Sequence, residues 1–190
     1  MKELLLDIHK CKICESFLEP RPVVFANESS KIIIIGQAPG TKVHKSGIPW
    51  DDASGKQLRK WLGVTNEQFY NVENFGIIPM GFCYPGKGKS GDLPPRKECA
   101  PEWHQLLLDK MPNVELVLLI GMYAQKYYLK EKAKKTLTET VNYYEEYLPK
   151  YFALPHPSPR NRFWLTKNLW FEKDILPQLK RKVTQIISSS

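Results

Sequence analysis

The amino-acid sequence points to a three-layer α/β/α sandwich with a central four-stranded parallel sheet, and three features carry that expectation. Lys31-Ile32-Ile33-Ile34-Ile35 and Val114-Glu115-Leu116-Val117-Leu118-Leu119-Ile120 are near-continuous apolar runs, the pattern of strands covered on both faces. Each run closes at a glycine, Gly36 or Gly121. Segments of helical spacing separate the runs, and strands alternating with helices favour a parallel sheet covered on both sides. With 190 residues and 42% hydrophobic content, the chain suits one domain with a proper core. That domain is expected over 1–187, with 188–190 as a disordered tail.

In chain order, residues 1–10 read as a short helix leading into Cys11, and Pro20-Arg21-Pro22 ends regular structure there. The first strand follows at 31–35. Residues 54–62 put Leu58, Trp61 and Leu62 on one helical face, with Ser54 as the N-cap. Phe75 to Met80 is a second strand interrupted by Pro79, so its end faces a cleft or an irregular edge. Glu98 to Met111 is a helix carrying Trp103, Leu106 and Leu107; the third strand ends at Gly121, and Met122 to Lys130 is again helical. Tyr151 to Leu154 supplies the fourth strand, and 168–187 is a helix broken at Pro177. Sites in such sheets gather beyond the carboxyl ends of the strands, which brings 36–40, 79–83 and 156–161 to one edge.

Twenty-eight Lys and Arg against twenty Asp and Glu leave a net charge of +8, which favours polyanionic partners. Lys87, Lys89, Arg96 and Lys97 surround a glycine-rich loop, Arg160 and Arg162 flank His156, and Lys180-Arg181-Lys182 reads as a solvated helix face. No apolar run approaches the roughly 18 residues that span a membrane, and Met1 to Leu6 lacks a signal peptide's apolar core. A cytoplasmic protein without a membrane partner is expected.

Three segments carry chemistry. His156-Pro157-Ser158-Pro159-Arg160-Asn161 presents an imidazole at the end of a strand, beside a stiff turn; alone it also fits a surface turn with an incidental histidine. Gly36-Gln37-Ala38-Pro39-Gly40 follows the first strand, and its amides can donate to a carbonyl or anion. It lacks the Lys and Ser/Thr of a nucleotide-triphosphate loop, and alone it fits a simple β-α turn. Cys11 and Cys14 form a Cys-x-x-Cys pair, with Cys83 and Cys99 far downstream. Four thiolates suit zinc or an iron-sulfur cluster, and buried unrelated thiols fit the spacing equally.

Taken in order, Gly36-Gln37-Ala38-Pro39-Gly40, Gly47-Ile48-Pro49-Trp50 and His156-Pro157-Ser158-Pro159 resemble the uracil-DNA glycosylase superfamily. The resemblance implies excision of a flipped damaged base, uracil first, from DNA containing a deaminated base. It casts Ala38, Pro39, Gly40 and Trp50 as the base pocket and His156 as the group stabilising charge on the departing base. Gln37 would orient a water. Asp51 and Asp52 are the nearest acids for the positive charge on the sugar, and either also fits as a helix cap, Asp52 more so. Ser158, Pro159, Arg160, Asn161 and Arg162 would press on the DNA, with Lys87 and Lys89 adding backbone contacts or simply standing solvated on a loop. The four cysteines resemble the layout of the iron-sulfur branch called family four, which implies a structural [4Fe-4S] cluster at Cys11, Cys14, Cys83 and Cys99; zinc or no metal are the alternatives. The His156 loop is most similar to that of the single-strand-selective branch. Three departures stand out: Ala38 replaces an acid or asparagine, Gln37 replaces family four's usual acid, and Ile77-Ile78-Pro79 occupies the place of a base-reading asparagine. A superfamily member that binds nucleic acid without cleaving it is the competing expectation. A monomer is expected.

Overall fold

The computed structural model describes residues 1–189. Four strands, β1 (Ile32–Ile35), β2 (Phe75–Ile77), β3 (Leu116–Ile120) and β4 (Tyr151–Leu154), form one sheet in the order β2-β1-β3-β4, every neighbouring pair parallel. All four isoleucines of β1 are fully buried because alternate side chains enter two different cores. Ile32 and Ile34 join Leu118, Phe152, Leu58, Trp61, Phe171 and Leu179 on one face. Ile33 and Ile35 join Val117, Leu119, Ala153, Leu107 and Ala124 on the other. Each of the Val, Leu, Ile and Phe side chains among them contributes roughly 1.5–3 kcal/mol by leaving water.

The helices divide accordingly. The first face is covered by α3 (Ala53–Leu62), α4 (Asn66–Tyr70), α7 (Leu137–Asn142) and α9 (Leu176–Ser188), which supply Leu58, Phe69, Val141 and Leu179. The second is covered by α1 (Lys2–His9), α5 (Gln105–Leu108, entered through a π-turn at Ala100–His104) and α6 (Met122–Leu129). The remaining helices, α2 (Thr41–Ser46) and α8 (Arg162–Lys167), lie on the connections after β1 and β4. None of these helices is long and apolar enough to cross a membrane.

The three-layer sandwich and its parallel sheet follow the sequence expectation, with local differences. The second strand stops at Ile77 rather than reaching Met80, since Pro79 has no N–H to give a ladder. Its outer edge is closed by Phe25, which bridges antiparallel to Ile77. The N-cap of α3 is Asp52, whose carboxylate accepts from Gly55 N at 2.7 Å, and not Ser54. The helix expected over Glu98 to Met111 is regular only at Gln105–Leu108, where Leu107 is buried and Leu106 is 48% exposed. The break at Pro177 falls in the first turn of α9, where proline's missing N–H is harmless, and a π-turn at Phe171–Ile175 precedes it. The expected tail is partly helical: α9 runs through Ser188, and Ser189 Oγ donates to Gln185 O at 2.6 Å. Ser190 lies outside the described residues.

Candidate active site

The chain leaves central β1 for β2 on one side and later returns through β3 on the other, so the loops after β1 and β3 diverge and open a crevice at the carboxyl edge. Gln125 of α6 is buried and donates to Leu119 O at 3.3 Å and Leu154 O at 2.9 Å, stitching the ends of β3 and β4 together just before His156. A cavity of about 420 Å³ fills the crevice. Gly36 to Gly40, Pro49, Trp50, Asp52, Ser54, Ile77 and Pro79 wall it from one side, with Pro85, Ser90, Gly91, Asp92, His156, Ser158, Arg160 and Asn161 completing it.

Backbone close to side chain sets the shape. A Cβ on Gly36 would stand 2.9 Å from the Trp50 indole, and one on Gly55 would stand 1.8 Å from Trp50 O. Trp50 itself has φ 57°, a left-handed conformation that costs a bulky residue about 1–3 kcal/mol. It is held there from several directions. Arg59 Nη1 donates to Trp50 O at 3.3 Å, Tyr70 Oη donates to Pro49 O at 3.0 Å, and the capping bond of Asp52 fixes the following turn. The indole ends 5.8 Å from the His156 ring, tilted by 33°.

The His156 loop is equally tied. Asn161 Nδ2 donates to His156 O at 2.7 Å, and Ser158 Oγ accepts from Arg160 N at 3.2 Å to start the 3-10 turn Pro159–Asn161. Burial pushes the imidazole's pKa below its ordinary value, with Asp52 opposing the shift, so at neutral pH the ring is uncharged and offers one N–H donor. A neutral donor, a flat aromatic face and a carboxylate thus share one recess. Such a recess suits a flat heterocycle that gathers negative charge as it leaves.

The structure gathers most of the residues expected from sequence and separates others. Gln37, Ala38, Pro39, Gly40, Trp50, His156, Ser158, Arg160 and Asn161 all wall the cavity. Asp51 does not; its carboxylate pairs with Lys42 at 3.5 Å, and of the two adjacent acids it is Asp52 that lines the cavity. Asn161 is turned toward the His156 carbonyl, so it positions the loop rather than reaching outward. Pro159 and Arg162 are exposed outside the lining, as are Lys87 and Lys89 on a hairpin whose Lys87–Asp92 bridge folds Ser90, Gly91 and Asp92 onto the cavity. Asp92, bonded by Tyr84 Oη at 3.3 Å, was the least foreseeable member. Only the spacing Gly86, Gly88, Gly91 hinted at a fold-back there.

Cys11, Cys14, Cys83 and Cys99 wall a second, narrow cavity together with Phe82, Arg96 and Trp103. Burial pushes the Cys83 thiol up to about 11 and Cys99 to about 12. Arg96 pairs with Glu98 beside them and covers the Phe17 ring at 3.9 Å. Among the described residues no three Cys, His, Asp or Glu side chains converge tightly enough for a single metal ion, so what the four thiols share is a common cavity and a soft donor set.

A doubly covered parallel sheet with an open recess at its switch point is the arrangement in which α/β proteins place a ligand. A family model described as the uracil DNA glycosylase superfamily matches residues 23–180, and the chain belongs to that superfamily. Membership supports DNA glycosylase activity in general, and DNA binding with it.

Proposed function

We propose that this protein excises uracil from DNA by hydrolysing its N-glycosidic bond, with the base flipped into the 420 Å³ cavity. The observation that carries the proposal is the neutral His156 facing Trp50 and Asp52 in one recess. The C1′–N bond breaks with its electron pair on the base, and the His156 N–H stabilises that charge. A donor of this type is worth roughly 3 kcal/mol in a water-poor site. Trp50 stacks on the base. Water adds its oxygen to C1′ and gives a proton to Asp52, which passes to the released base; the same carboxylate stabilises the positive sugar. Ala38 supplies only a methyl group, so in this reading Asp52 takes the acidic role that the first motif lacks.

On the DNA side, Arg160 lies at the cavity mouth with its guanidinium beside Gly91. Phe163 is 80% exposed on α8, which Trp164 anchors by donating to Thr138 Oγ1 at 2.8 Å, and this apolar ring, two residues after Asn161, would fill the gap that a flipped base leaves. Phosphate contacts from Arg160, Arg162, Lys87 and Lys89 make binding weaken with salt, by a slope of about 0.9 per contact.

Cys11, Cys14, Cys83 and Cys99 would hold a [4Fe-4S] cluster, supported by their common cavity and all-thiolate chemistry. A bound cluster would cross-link the N-terminal segment to the 83–99 hairpin. Purified protein is expected to contain iron and acid-labile sulfide and to be brown; colourless protein with bound zinc overturns this assignment.

Single-turnover assays on single- and double-stranded oligonucleotides containing uracil, hypoxanthine or xanthine test the activity. Uracil release is expected, slowed about a hundredfold in His156→Ala. Tight, salt-sensitive binding without release of any base would make this a non-cleaving binder and overturn the proposal.

A further inference from the structure

His104 lies outside the cavity wall and is only 2% exposed, yet both its ring nitrogens are engaged. Nε2 meets Pro79 O at 3.0 Å, and Nδ1 meets Tyr128 Oη at 2.6 Å. A carbonyl can only accept, so Nε2 carries the hydrogen; Nδ1 then holds the lone pair, and the Tyr128 hydroxyl donates to it. The tautomer follows from the partners alone. Burial agrees, holding the imidazole's pKa down to about 4. The ring is flanked by Phe82, 5.7 Å away and 14° from parallel, and meets Tyr128 edge to edge, 5.9 Å away and 26° from parallel. It closes the π-turn at Ala100–His104, a local winding often found near functional sites.

The bonded carbonyl belongs to the cavity. Pro79 is part of its wall, and the peptide joining Pro79 to Met80 is tied at both ends: its oxygen to His104, its N–H to Gly36 O at 2.9 Å. The next amide, Gly81 N, donates to Gln37 O at 2.9 Å. The glycine loop after β1 therefore rests on a peptide whose rotation His104 blocks. Without that donor the Pro79 carbonyl is a buried acceptor with no partner, and the peptide can turn to find one.

We infer that His104 is a positioning residue for base excision: through Pro79 O it fixes the 79–81 segment and, through that, the Gly36-Gln37 loop against which the flipped base is held. The inference rests on the glycosylase reading for its kinetic consequence but not for its structural one. Small displacements of a positioning loop can lower rates up to about a hundredfold.

Three variants and two readouts test it. In His104→Leu, single-turnover excision is expected to fall on the order of tenfold or more, with unchanged affinity for uncleavable abasic-analogue DNA. His104→Gln keeps an amide donor at the reach of Nε2 and should restore the rate to within about threefold of the parent. Tyr128→Phe, which removes only the partner that holds the tautomer, should fall between them. Hydrogen exchange followed by mass spectrometry is the second readout. Faster exchange over 36–40 and 79–82 is expected in His104→Leu, and protection there should return in His104→Gln. Equal losses in the Leu and Gln variants, or a lowered melting temperature with unchanged rate and exchange, overturn the inference. If the parent protein releases no base, the exchange pattern still decides the role of His104, while the glycosylase reading fails separately.

Discussion

The base cavity and the cysteine cavity are built by opposite means. The first is assembled by sheet topology: three strand ends deliver Gly36, Pro79 and His156 to one edge, and buried backbone bonds lock the loops together. The second gathers four thiols from an N-terminal segment, the end of one loop and the start of a π-turn, with no strand joining them. Two segments belong to both neighbourhoods: Pro79 lines one cavity and Cys83 the other, and Val23 lines the first while Pro22 lines the second. The base cavity thus takes its geometry from the core, whereas the four thiols share a cavity without any common secondary-structure element.

The sharpest way to break that contrast is at Asp52. Asp52→Asn keeps a capping side chain but removes the charge, so excision should fall by about a hundredfold or more while the melting temperature stays put. Asp51→Asn, changing a surface pair, should leave the rate unchanged in the same assay. Next comes acid stability. Burial holds His104 at about 4 against an ordinary 6.5, so the unfolded chain takes up the proton first. The contribution is intact above about pH 6.5 and is lost progressively toward pH 4, by about 3 kcal/mol, visible as a falling urea midpoint that His104→Gln should flatten. Gly36→Ala forces the Trp50 indole to move and should slow excision about tenfold without altering iron content. Smallest is Cys99→Ala: iron and sulfide should disappear and melting should drop, yet excision per folded molecule should change by less than about threefold, or 0.7 kcal/mol. A larger kinetic loss there would show that the two cavities are not independent.

Much of the frame was legible because uninterrupted apolar runs such as Ile32–Ile35 have few explanations other than a strand covered twice. The glycine loop and His156 were legible for a related reason, each sitting directly after such a run. Short helices were harder. Two of them announce themselves through capping boxes, Thr65 with Gln68 and Thr136 with Glu139, whose spacing was present in the sequence. That Asp52 would cap α3 was legible, but that the same carboxylate and not Asp51 lines the cavity was not, because it depends on the turn after Trp50. Asp92 and His104 were hidden for another reason: a fold-back hairpin and a π-turn aim them, and neither leaves a periodic pattern.

Trp50 has one more consequence. Its left-handed turn is packed on two sides, with the indole against Gly36 and the carbonyl against Gly55. Glycine at positions 36 and 55 is therefore required by a residue each only touches, since a Cβ at 36 would press on the indole and one at 55 would overlap the Trp50 carbonyl. The three residues form one steric unit, and repairing the strain at position 50 would yield a sturdier protein with a blunter site.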